Sequence, residues 1–118
     1  MTIPRGRVSE TVVWVSAEVR CQGPSSLSNW CGARVLANGV ELQPDEGADN
    51  GDHFHWDSAN PDPRRKRALA FHRAGTVTCP DNSGCDVTVT VQARNNTPAS
   101  QLWVDDLAVR GELNTYPS

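Results

Sequence analysis

Two carboxylates stand in the middle of an otherwise apolar run, Leu102-Trp103-Val104-Asp105-Asp106-Leu107-Ala108-Val109. In an extended strand the side chains alternate, so Trp103, Asp105, Leu107 and Val109 are expected on one face and Val104, Asp106 and Ala108 on the other. Asp105 then falls on the more apolar face, where a bare carboxylate is costly. It must be protonated, hydrogen-bonded, ion-paired or bound to a cation. A carboxylate pair held by turn amides, with no metal, satisfies the same requirement.

A second concentration of reactive side chains is His53-Phe54-His55-Trp56-Asp57-Ser58, inside the longest irregular region, residues 43–64. Loops of this length in a small domain usually carry function. Gly47, five residues, then His53-Phe54-His55 matches the opening of a cupin metal motif. No Glu follows at three or four residues and no second Gly/Pro/His motif appears, so an exposed His-aromatic loop is preferred over a transition-metal site. The basic run Arg64-Arg65-Lys66-Arg67 reads as a solvated turn, with a targeting signal, protease site or anion contact as its alternatives.

Cys21, Cys31, Cys79 and Cys85 form an even set in two local pairs. Of the three possible connectivities, Cys21–Cys31 and Cys79–Cys85 close short loops, each worth about 2–3 kcal/mol. A zinc site or free thiols is the rival reading, but the spacings are wider than those of paired zinc ligands. Trp30, beside Cys31, is expected to cover a bridge rather than to touch a ligand.

The elements that must position these groups are strands. Residues 10–20 alternate, with Val13, Val15, Ala17 and Val19 on one face and Trp14, Ser16, Glu18 and Arg20 on the other. Ala37-Asn38-Gly39-Val40 reads as a hairpin turn. Residues 68–78 resume strand character. Residues 86–94 alternate again, with Val87, Val89, Val91 and Ala93 opposite Thr88, Thr90, Gln92 and Arg94, leaving a polar outer strip. Three alternating stretches divided by Gly and Pro in 118 residues predict one all-β domain, an antiparallel β-sandwich spanning residues 1–118.

Several functions are disfavoured. A net charge of −3 does not suit general nucleic-acid binding, and no apolar run is long enough to span a membrane as a helix. No Gly-Xaa-Ser-Xaa-Gly elbow, phosphate-binding loop or His-Glu-Xaa-Xaa-His helix is present, so no catalytic role is expected. A glycosidase needs only two facing carboxylates, yet a small sandwich offers little depth to exclude water. The disulfides and the lack of a signal peptide suit a secreted domain cut from a longer protein, with an added start Met.

Trp103-Val104-Asp105-Asp106-Leu107-Ala108-Val109, after the alternation of residues 87–92, resembles the closing strand of jelly-roll carbohydrate-binding modules of the galactose-binding-like type. That resemblance, which covers the last third of the chain, implies a jelly roll and a structural calcium near Asp105, with Asp106 as the less certain partner. Calcium takes six to eight oxygens, so a further acid is needed; Glu10 is the candidate if the first and last strands adjoin.

The expected function is therefore a non-catalytic module that tethers an attached enzyme to polysaccharide, acting as a monomer linked to a catalytic domain. Sugar rings stack their C–H faces on aromatic rings and pair hydroxyls with polar side chains. Trp56 with His53, His55 and Asp57 is the first expected site; Trp14 with Gln92 and Arg94, on a sheet face, is the second. The rival class is an adhesion or spacer domain of a secreted or virion protein, contacting protein neighbours. A small hydrolase comes third.

Overall fold

The computed structural model describes residues 1–26, 29–44 and 54–118. The described chain folds as strands β1 (Thr2–Ile3), β2 (Arg7–Gln22), β3 (Trp30–Ala37), β4 (Val40–Glu41), β5 (Phe54–Ser58), β6 (Arg67–Val77), β7 (Cys85–Asp86), β8 (Val89–Asn95) and β9 (Gln101–Pro117), with one 3-10 turn at Pro80–Asn82. All pairings between these strands are antiparallel.

The period-two pattern of β2 becomes a two-faced strand in which Val13, Val15, Ala17, Val19 and Cys21 are buried. That strand is the centre of a three-stranded sheet in the order β6-β2-β9. A second sheet is built on β3, which pairs with β8 on one side and with β4 and β5 along the other. Val13 and Val15 of β2 and Val77 of β6 pack against Val35 and Ala37 of β3, together with Leu42 and Val87. The molecule is thus a two-layer β-sandwich, closed at one end by the β1–β7 pair, where Thr2 Oγ1 donates to Asp86 Oδ1 at 2.7 Å. Its extents of 51 × 30 × 16 Å make it a thin, elongated slab whose long sheet outruns its cover.

Both short-range disulfides form. Cys21–Cys31 ties β2 to β3 across the sandwich and Cys79–Cys85 closes the segment around the 3-10 turn. The apolar side chains packed on the first bridge are Ala59 and Leu102. Trp30 does not join them: Cys31 faces inward, and its neighbour in the strand projects the other way. The hairpin at Asn38-Gly39 is present, with φ of 49° and 81°, the left-handed pair that a two-residue primed turn demands.

Two charged groups were not legible as structural. Arg73 is 7% exposed on the inner face of β6, its guanidinium 4.6 Å over the Phe71 ring. Burial pushes its pKa down from the ordinary value, opposed by the negative charge of Glu41. The basic run is the exposed turn expected, with Arg64, Lys66 and Arg67 open to solvent, but its side chains also make ion pairs. Arg65 and Arg67 converge on Asp57, Lys66 pairs with Glu18 and Arg64 with Asp62. The run docks β5 and β2 to the start of β6.

Candidate functional site

The outer face of the β6-β2-β9 sheet, opposite the core, carries the largest gathering of groups suited to binding. Register defines it in rows. His72, Trp14 and Arg110 form one row across β6, β2 and β9, followed by Ala70, Ser16 and Ala108, and then by Ala68, Glu18 and Asp105. Arg20 and Trp103 close the far end. The middle residues are small because Ala and Ser occupy the positions facing out, so the centre is a valley between raised ends. Continuous shallow depressions run along it.

At each end a tryptophan ring meets a guanidinium. Arg110 Cζ lies 5.1 Å from the centroid of Trp14, and Arg20 Cζ lies 3.8 Å from that of Trp103. Both contacts are cation–π pairs between residues directly opposite on adjacent strands. Arg20 is further held by Nη1 donating to the Pro63 carbonyl at 2.5 Å. The rings stay accessible, Trp14 at 38% and Trp103 at 43%. Arg20 follows Trp14 by six positions along β2, which sets the two platforms about 20 Å apart along the strands.

Between them the charges are mixed. Glu18 and Asp105 face each other across β2 and β9, and Lys66 Nζ sits 3.5 Å from Glu18 Oε1. Two carboxylates directly opposite repel, and the ammonium offsets that repulsion. Cations at Arg20, Lys66 and Arg110 are balanced by Glu18, Asp105 and Asp106, so the face lacks the single-sign field that tracks a phosphate backbone.

A register shift changes the expected phase of β9. Ser16 pairs with Ala108 but Glu18 pairs with Asp105, so two residues of β9 oppose Ala17 alone. Asp106 takes a φ of 52° at that point. Trp103 and Asp105 therefore share the outer face, whereas Val109, paired with Val15, lies on the inner side. Asp105 is exposed rather than set among apolar groups, and its Oδ1 accepts the Asp106 N–H at 2.9 Å.

The other expected site residues are dispersed. First and last strands do adjoin, but Glu10 pairs with Asn114, eight residues of β2 from Glu18 and so about 27 Å from Asp105. Glu10, Asp105 and Asp106 do not assemble as one ligand set, and among the described residues no group of three His, Cys, Asp or Glu side chains could hold a metal ion. Glu10 Oε2 instead accepts from Thr76 Oγ1 at 3.3 Å.

Trp14 is parted from Gln92 and Arg94. Those two lie on β8, paired with Arg34 and Gly32 on the outer side of the second sheet, across the sandwich from Trp14. Gln92 Oε1 is engaged by Arg34 Nε at 2.6 Å. Trp56 is half-buried, its ring edge-on to Phe71 at a centroid distance of 5.6 Å, and Asp57 beside it is buried between two arginines. His53 and the side chain of His55 lie outside the described residues.

Arg20, Glu18, Lys66, His72 and Arg110 were not singled out from the sequence. The alternation of β2 already grouped Trp14, Ser16, Glu18 and Arg20; what was missing was the identity of the strands beside it. No protein-family model, no curated protein and no solved structure matches the chain. No helix among the described residues is long and apolar enough to cross a membrane.

Proposed function

We propose that the chain is a non-catalytic carbohydrate-binding module of a secreted protein, and that its site is the outer face of the β6-β2-β9 sheet. The observation that carries this reading is the pair of arginine-backed tryptophans bracketing a valley of small residues. An aromatic platform gives a sugar ring its C–H stacking surface at low entropic expense, since a cation–π contact has already restricted the ring. Glu18, Asp105, Lys66 and His72 supply donors and acceptors for hydroxyls between the platforms. A span of about 20 Å suits an extended oligosaccharide rather than a single sugar. The same carboxylates stand on an open face, where water is not excluded, which favours binding over hydrolysis.

The test is isothermal titration of the oxidised chain against a panel of soluble neutral and acidic polysaccharides. One glycan binds, and Trp14→Ala and Trp103→Ala each weaken it about tenfold or more, the loss of one buried stacking face. Gln92→Ala, on the opposite side of the sandwich, leaves the affinity unchanged. A glycan whose binding survives both tryptophan substitutions refutes the site, and no binding across the panel refutes the function.

A further inference from the structure

We propose that a second copy of this chain pairs antiparallel with β9, joining two three-stranded sheets into one of six strands through residues 107–115. β9 is the outermost strand of its sheet; β2 takes one side, and among the described residues no strand takes the other. It is 17 residues long. Of the eight large apolar side chains left exposed among the described residues, five belong to it: Leu107 and Val109 within residues 107–115, and Trp103, Val104 and Tyr116 flanking them. A long apolar edge presents a row of unpaired N–H and C=O groups and is a ready template for another strand.

The order of charges about Gly111 identifies the occupant as a second copy. Arg110 pairs with Trp14 and Glu112 with Val12, so both project from the outer face, on either side of Gly111. Neither has an ion-pair partner among the described residues. A two-fold axis at Gly111 sets Arg110 of each copy opposite Glu112 of the other, giving two cross-strand ion pairs from one residue pair. On the inner face the same operation sets Val109 opposite Leu113 and Leu107 opposite Thr115, each twice. Half-exposed Val109 and Leu107 of one copy are thereby covered by Leu113 and Thr115 of its mate.

Two further features bound the contact. Gly111 has no side chain at the axis, and the Met1 thioether lies over it: a Cβ there would come within 2.6 Å of Met1 Cε. Met1, itself exposed, adds to the inner apolar patch. At the other limit the irregularity at Asp106 ends the regular strand, so Asp105 and Asp106 fall outside the paired segment. A nine-residue segment of each copy, about 30 Å of ladder, then has a paired strand on both sides.

The test is sedimentation equilibrium of the oxidised chain over a concentration series. A monomer–dimer equilibrium is expected. Glu112→Arg, which sets two arginines against two arginines, raises the dimer dissociation constant about tenfold or more, and so does Arg110→Glu. The double variant R110E/E112R restores the dimer, an outcome that loss of folding in either single variant cannot imitate. Amide hydrogen exchange of the wild-type chain gives a second readout: protection of residues 107–115 rises with protein concentration. A monomer at every concentration overturns the proposal. So does a dimer indifferent to Glu112→Arg, or an open-ended assembly in place of a closed pair.

Discussion

Asp57 Oδ1 accepts a hydrogen bond from Arg67 Nη1 at 3.3 Å, and Arg65 Nη2 lies 3.5 Å from the same oxygen. The carboxylate is 3% exposed, while both guanidinium groups keep access to water. That asymmetry decides which substitution is severe. The double variant R65M/R67M strands a buried charge and is expected to lose about 3 kcal/mol, whereas Asp57→Leu frees two cations that can turn to solvent and should cost less. Urea unfolding midpoints compare the two directly. Equal losses would show that the pair contributes through packing alone.

The φ of 52° at Asp106 is tolerable for Asp and poor for a branched side chain. Asp106→Val should cost about 1–2 kcal/mol, and Asp106→Gly should be neutral or slightly stabilising. Because this residue sets the phase of β9, the valine variant should also change the environment of Trp103, visible as a shift in its fluorescence. An unchanged melting temperature in Asp106→Val would mean that the strand irregularity does not depend on a left-handed residue.

Glu10 and Asp105 lie at separate stations along β2, so Glu10→Gln and Asp105→Asn should act independently. Their effects on stability are expected to add within about 0.5 kcal/mol. The cycle is measured by thermal unfolding in chelator and again in calcium. A coupling that emerges only with calcium would place both acids on a shared ion and contradict the separation seen here.

Removal of the Cys21–Cys31 bridge as C21A/C31A opens a short loop, with a sequence separation of 10, and is expected to lower stability by about 2–3 kcal/mol. The bridge ties β2 to β3 near the Trp103 end of the groove, where Leu102 packs on it. Loss of amide protection should therefore be greatest around residues 20–22 and 101–103. A uniform loss of protection along β2 would show that the bridge restrains only the unfolded chain.

Much of the architecture was legible before any coordinates. The alternation of β2 identified its buried valines because burial on one face of a strand imposes period two, and Asn38-Gly39 announced its hairpin because few residues adopt a left-handed φ cheaply. The short cysteine spacings favoured the two local bridges for a similar reason: loop closure is a nearly local property. The Arg64–Arg67 run is solvated as its charge pattern implies, but its hold on buried Asp57 is not legible there, since Asp57 approaches through a strand pairing that charge pattern alone does not reveal.

What the sequence by itself determined was the all-β class, the inward face of β2 and the covalent ties. Only the tertiary structure decided which groups meet. Trp14 and Gln92 share an outward orientation in their own strands but belong to different sheets, so they end on opposite sides of the sandwich. One extra residue in β9 moved Asp105 from the expected apolar face to the open groove beside Glu18. Alternation fixes the side of a strand on which a residue lies; which strand lies next to it, and in what register, depends on contacts between residues nearly a hundred positions apart.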